Sequence, residues 1–253
     1  MKRARFQVGG ATHQGVWQDG RLADADGNFH SEESVTWLPP LQPGTIIGLA
    51  LNYRDHAEEL GLPLPETPVL FIKAHNTLVG HRRPVVAPPG VQYMHYEAEL
   101  GVVIGREGRR ISQAEAMDYV GGYTIVNDVT VRDFVTNMYR PPVKAKGFDT
   151  FGPIGPWLVE GEISDPHCLE VRTFVNGELR QHGNTNDLIF DIPSIIEYIS
   201  AFMTIRPGDT ILTGTPKGIS HIYPGDTVRI EIDGLGALEN PIIAEERGEG
   251  KPL

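Results

Sequence analysis

YEAELGVVIG, residues 96–105, decides how this chain is read. Its second half is an apolar run of strand length. A strand entering it from Tyr96 points Glu97 and Glu99 to one face, because strand side chains alternate with a period of two. Two carboxylates about 7 Å apart along a strand repel each other if both are ionised and poorly solvated. Either this face is a solvated sheet edge or a cation lies between the carboxylates. Asp128 closes a second apolar stretch, residues 122–126, where a strand end can turn a carboxylate toward a cleft. Three oxygen donors with no clustered cysteine or histidine suit Mg²⁺ or Mn²⁺ rather than zinc. Such a site keeps positions open for water or ligand oxygens.

Outward from this stretch the pattern stays β-rich. Strand-like runs recur at residues 45–51, 171–175, 210–212 and 228–232, and Asn176-Gly177 is a hairpin-turn dipeptide. Residues 1–43 read as a small β appendage, with strand-like stretches at 5–8 and 15–18 broken by Asp19-Gly20 and Asp26-Gly27. Pro39-Pro40 and Pro43-Gly44 mark a linker, after which a main domain spans 44–253. Helices are few. Ser112 and Glu115 have capping-box spacing and predict a short helix over AEAMDYV, residues 114–120. In PSIIEYISAFM, residues 193–203, Ile195, Ile196, Ile199, Phe202 and Met203 recur at helical spacing as a core-packing stripe, with Pro193 in the first turn. The expected fold is mixed, β-rich α+β with a few peripheral helices.

The 253 residues can bury a sizeable core, and the single cysteine, Cys168, excludes an intrachain disulfide. A reducing compartment fits, and with no run of about 18 apolar residues and no apolar stretch after MKRARF, a cytoplasmic location is expected. A formal net charge of -11 makes nucleic acid an unsuitable partner. It also disfavours an anionic ligand unless a metal or local cations offset it.

Three more segments carry chemistry-bearing residues. In NYRDHAEE, residues 52–59, His56 and Glu59 are i, i+3 and can meet on a helical turn. A carboxylate there fixes the imidazole tautomer and raises its basicity, as a general base requires; an incidental surface pair has the same spacing. Lys146 and Arg132 could each receive a carboxylate, the arginine as a bidentate fork, or be solvated surface cations. The loop TGTPKG, residues 213–218, contains Gly214 and Gly218, which allow backbone to approach a ligand closely. It lacks the spacing of a P-loop.

Taken in order, NYRDHAEE, PVLFIK (68–73), YEAELGVVIG, GYTIVNDVTVRD (122–133), KAKGFDTFGP (144–153), TFVNGELRQ (173–181) and GDTILTGTPKG (208–218) resemble the fumarylacetoacetate hydrolase family, over about residues 45–245. The resemblance implies a β-roll-like core and a homodimer. It places a divalent metal, Mg²⁺ or Mn²⁺, on Glu97, Glu99 and Asp128, and pairs His56 with Glu59 as a dyad on a segment that closes over substrate. Lys146 falls beside the metal as a catalytic residue, it or the dyad moving protons, and Arg132, Thr215 and Gly214 fall near a bound small anionic 2-oxo acid. No match is found for the fourth carboxylate ligand of fumarylacetoacetase itself, so a three-ligand site is expected.

Stretches such as YMHYEAEL, AMDYVGGYT and FMTIRPGD are most similar to the branch acting in aromatic (4-hydroxyphenylacetate/homoprotocatechuate) catabolism. That likeness implies decarboxylation and isomerisation of 2-oxo or 2-hydroxydienoate di- and tricarboxylic acids through a dienolate held at the metal. Acylpyruvate hydrolysis or oxaloacetate decarboxylation on the same site is the alternative. A non-catalytic binding protein that keeps the fold is the alternative of another class.

Overall fold

The computed structural model describes residues 1–135 and 141–246. A twelve-stranded sheet forms the body. Along its main path lie Phe29–His30, Arg21–Asp24, Ala11–Gln18, Lys2–Val8, Gly152–Val159, Val120–Asn127, Ala98–Ile104, Thr210–Leu212, Ile46–Ala50 and Val69–Lys73. Neighbours are antiparallel except where Thr210–Leu212 runs parallel to Ile46–Ala50. A second, five-stranded sheet orders Glu178–Asn184, Glu170–Val175, Thr227–Ile232, Gly236–Ala244 and Val85–Ala87. The fold is β-rich with few helices, as expected.

Every residue of Ala98–Ile104 is buried, which explains its continuous apolar composition: it is central in the sheet, with Val120–Asn127 on one side and Thr210–Leu212 on the other. Gly101 lets these strands approach, since a Cβ there would lie 2.9 Å from Thr124 Cγ2. The N-terminal strands continue the same sheet through Lys2 opposite Val159, and Phe6, Leu22 and Trp37 pack into the main apolar core. Asp19-Gly20 and Asn176-Gly177 both have positive φ at each residue, as a tight two-residue hairpin turn requires.

The helix expected near residue 193 spans Ile192–Phe202. Asp191 caps it by accepting a hydrogen bond from Ser194 N, and Ile195, Ile196 and Ile199 face the core. Phe202, expected in that stripe, is exposed at the last turn. The helix expected over 114–120 is only a 3-10 turn, Ala116–Tyr119. Val120 already begins a strand, so no residues remain for a second α-turn, and the Ser112 hydroxyl bonds the Glu115 carboxylate instead of capping a backbone N–H.

Candidate metal centre

Glu97 immediately precedes the strand Ala98–Ile104, Glu99 lies within it, and Asp128 follows Val120–Asn127. Because these two strands are paired antiparallel, Ala98 opposite Asn127, the three carboxylates meet at one end of the pair. One ligand oxygen from each lies within 4.8 Å of the others, and all three side chains are buried. The reading of Glu97 and Glu99 as a solvated sheet edge does not hold here.

The carboxylates are held very differently. Glu97 accepts from Arg132 Nη2 and, at 2.8 Å, from Lys146 Nζ. Asp128 accepts from Lys73 Nζ at 2.7 Å and from Lys146 Nζ at 2.5 Å. Among the described residues Glu99 accepts only the Gly214 backbone N–H, at 2.7 Å. Burial would raise the Glu97 pKa, but Lys146 and Arg132 overcome it and hold Glu97 at about 2. Burial, then the charges of Asp128 and Glu97, push Glu99 well above the ordinary 4.5. Burial would lower the Lys146 ammonium, yet the surrounding carboxylates, Asp128 first, raise it. Lys73 goes the other way, because burial outweighs Asp128 and Lys146 adds repulsion. Among the described residues an ionised Glu99 therefore has no hydrogen-bonded cation, and a hard divalent cation fits an all-oxygen donor set of this kind.

Lys146 rests on a four-residue helix, Val143–Lys146, and its three N–H groups go to Glu97, Asp128 and the Thr130 hydroxyl. Lys73 has no role that its local sequence suggests. It ends the strand Val69–Lys73 fully buried, bonded to Asp128 and to the Lys146 carbonyl. A signal is nevertheless present: Phe71 and Lys73 share the inward face of that strand while Ile72 points out.

His56 lies on the helix Arg54–Leu60, ended by Gly61 in the left-handed conformation. Its Nδ1 is 3.0 Å from Glu59 Oε2, and Glu59 Oε1 accepts from Gly218 N at 3.0 Å. With Nδ1 donating to Glu59, Nε2 is the nitrogen left for proton exchange. Asp55 accepts from Lys217 N, so the helix is tied to the loop of residues 213–218, which also supplies the Gly214 N–H.

A cavity of about 410 Å³ joins these groups. His56, Glu97, Glu99, Arg132, Lys146 and Thr215 line it beside an apolar wall that includes Leu51, Leu60, Leu62 and Phe71. Asp128 lies beneath its floor with no exposed surface, Glu59 stands behind His56, and Gly214 behind Glu99. Arg132 Nε is buried without a hydrogen-bond partner among the described residues.

The profile of the fumarylacetoacetate (FAA) hydrolase C-terminal family matches residues 45–243. The chain belongs to this family. A 4-hydroxyphenylacetate degradation bifunctional isomerase/decarboxylase from Salmonella dublin is 54% identical over 223 residues, 88% of this chain and 52% of that protein. The chain thus spans about half the length of such curated relatives. The crystal structure of a 5-carboxymethyl-2-hydroxymuconate delta-isomerase from Mycobacterium smegmatis superposes with a TM-score of 0.87 at 37% identity, covering 98% of this chain and all of that one. A maleylpyruvate hydrolase from Sphingobium, solved with manganese(II) and pyruvate, gives a TM-score of 0.83 at 30% identity, with 97% of this chain and 100% of that chain covered. This member of the fumarylacetoacetate hydrolase family therefore has a buried acidic triad able to hold a metal. Among its described residues no helix is long and apolar enough to cross a membrane.

Proposed function

We propose that this chain is a divalent-metal-dependent decarboxylase/isomerase acting on 2-oxo or 2-hydroxydienoate di- and tricarboxylic acids of aromatic catabolism. The observation that carries the reading is the convergence at one cavity of Glu97 and Glu99 with Asp128 beneath them, the cations Lys146 and Arg132, and His56 backed by Glu59. The 54% identity to an isomerase/decarboxylase supports the substrate class. Mg²⁺ or Mn²⁺ on Glu97, Glu99 and Asp128 is the cofactor we assign, a homodimer in the cytoplasm the working form, and residues 44–253 the catalytic unit with 1–43 as its appendage.

When bound, such a metal supplies electrophilic stabilisation of negative charge on a chelated 2-oxo acid. The chain's own groups do the rest. Lys146 and Arg132 keep positive charge beside the ligand, offsetting an anion against an acidic protein. Where the leaving carboxylate sits on the saturated carbon joined through a double bond to the 2-oxo group, loss of CO₂ drives the electron pair of the broken C–C bond toward the oxo oxygen and leaves a dienolate. His56 Nε2 then delivers or removes a proton on that chain, with Glu59 fixing the tautomer. Protonation at oxygen gives the 2-hydroxydiene, and protonation further along gives the 2-oxo-3-ene isomer. Lys146 has all three N–H groups committed, so we assign it fixed charge and His56 the mobile proton. The Thr215 hydroxyl and Arg132 Nε, the latter buried and without a partner among the described residues, are donors for the ligand's carboxylate. Leu51, Leu60, Leu62 and Phe71 exclude water from the conjugated chain.

A second reading, C–C hydrolysis of an acylpyruvate by a water that His56 activates, is favoured by the likeness to the maleylpyruvate hydrolase. Incubation with 5-oxopent-3-ene-1,2,5-tricarboxylate, acetylpyruvate and oxaloacetate, each with Mg²⁺ or Mn²⁺, separates the cases. CO₂ release from the tricarboxylate supports the first reading, and acetate from acetylpyruvate the second. CO₂ from oxaloacetate alone moves the assignment to a smaller substrate, and binding without turnover of any of the three makes the protein a non-catalytic binder.

A further inference from the structure

Strand Glu178–Asn184 is the edge of the smaller sheet, and most of its side chains are exposed. Gln181 is the exception, with only 1% of its surface accessible. Its amide reaches toward the metal centre rather than toward solvent. Nε2 donates to Thr215 Oγ1 at 2.8 Å and to the Pro216 carbonyl at 2.7 Å, and Oε1 accepts from the Thr173 hydroxyl at 2.9 Å. The orientation of the amide follows from chemistry. A proline carbonyl can only accept, so the NH₂ end must face Pro216, and the oxygen is left for Thr173, the residue opposite Gln181 in the adjacent strand. Loop and strand are in direct contact here: a Cβ on Gly183 would lie 2.4 Å from Pro216 Cβ, and one on Gly218 2.8 Å from the Arg180 carbonyl.

This arrangement has a consequence for Thr215. A hydroxyl has one proton to donate and two lone pairs to accept with. Gln181 takes one of those lone pairs, which turns the O–H away from the loop, and among the described residues no protein acceptor takes the Thr215 proton. Thr215 lines the cavity that contains Glu97, Glu99 and His56. We propose that Gln181 is a positioning residue for the site: by donating to Thr215 Oγ1 it commits the Thr215 proton to an acceptor oxygen of the ligand in the cavity. This rests on the reading above that the cavity takes a 2-oxo acid. Gln181 touches no ligand itself; the smaller sheet thereby sets the polarity of one contact in a site built on the larger one.

The test uses the full chain loaded with Mn²⁺ and pyruvate as the probe, followed by calorimetry, with Mn²⁺ affinity measured separately. Gln181→Glu keeps the side-chain size and the Thr173 acceptor but presents an oxygen that takes the Thr215 proton. Gln181→Leu removes the amide. Each is expected to weaken pyruvate about tenfold, the scale of one oriented hydrogen bond, while Mn²⁺ affinity stays within about twofold. Added to Thr215→Val, either change is expected to weaken pyruvate no further, because the hydroxyl through which it acts is gone. If Gln181→Leu does not fold, Gln181→Glu still gives the answer. Pyruvate affinity unchanged in folded Gln181→Glu, or a full loss that persists on the Thr215→Val background, overturns the proposal. Wild-type protein that binds Mn²⁺ but no pyruvate overturns the functional reading together with it.

Discussion

Asp24 and Glu99 are both buried acids of this chain, and they live under opposite rules. Asp24, in the N-terminal strands, accepts from the backbone of Asp26 and Asn28, the Asn28 side chain and His30 Nε2 at 2.9 Å. His30 first, with these amides, holds its carboxyl well below the ordinary 3.8. Glu99 has, among the described residues, one backbone donor and two carboxylate neighbours, and a pKa pushed well above 4.5. A carboxylate saturated with local donors closes a turn and needs nothing further. One left short of donors among like charges waits for a cation. The same residue chemistry is thus structural in one place and ligand-directed in the other.

The largest expected break in that contrast is Glu97→Ala. Loss of metal-dependent turnover by roughly 10³-fold or more is expected if the metal supplies several kcal/mol of barrier lowering. EDTA on the wild type is expected to match it. Activity of Glu97→Ala equal to wild type in a steady-state assay with Mg²⁺ means that the ligand set is wrong. Asp24→Ala leaves turnover unchanged in the same assay.

Lys73→Met is next. It leaves Asp128 Oδ1 without its partner and the Lys146 carbonyl unpaired in a fully buried place, which is expected to cost about 3–5 kcal/mol. Urea unfolding of the metal-free protein reads this directly, and a loss below about 1 kcal/mol would show that Asp128 does not depend on Lys73. Asp24→Ala is a smaller change, expected to lower Tm by a few degrees, about 2–5 °C, with no change in metal affinity.

Acid separates the two carboxylates in sign. Asp24, depressed when folded, contributes stability above about pH 3.8 that fades as pH falls below that value. Glu99, raised when folded, stabilises the metal-free protein most below about pH 4.5, and this contribution is lost as pH climbs through its folded pKa. Metal binding must displace the Glu99 proton, so apparent metal affinity is expected to fall as pH drops below that folded pKa. In Glu99→Gln this part of the pH dependence of Mn²⁺ binding should vanish. Persistence of an unchanged slope in calorimetry at several pH values would assign the proton to another group.

Much of the centre is legible in the order of residues. Glu97 and Glu99 are two apart at the entry to an apolar strand, and His56 and Glu59 three apart on a helical turn, so their meeting follows from local periodicity. Asp128 is legible only as a carboxylate at a strand end. Lys73 lies 55 residues from Asp128, and nothing local tells which carboxylate a buried lysine will meet. Gln181 gives less signal still, because ELRQHGN shows no apolar alternation from which to infer an inward face. The expected helix at 114–120 fails for a related reason: capping-box spacing is local, but the demand of Val120 for its strand partner in the sheet is not.

The strand-rich class, the hairpin turns and a long amphipathic helix are written in the chain itself, and so is the acidic trio once the motifs are read together, in order, as a family resemblance. They depend on alternation, on turn chemistry and on residue order, all of which a chain carries along its length. Which charges meet is a matter of long-range packing: Glu97 sits between Lys146 and Arg132, Glu99 is hydrogen-bonded to no cation among the described residues, and the smaller sheet reaches Thr215 through Gln181. The reason is physical. In a poorly hydrated interior, the protonation and partner of each buried group depend on separations of a few ångströms between segments far apart in the chain.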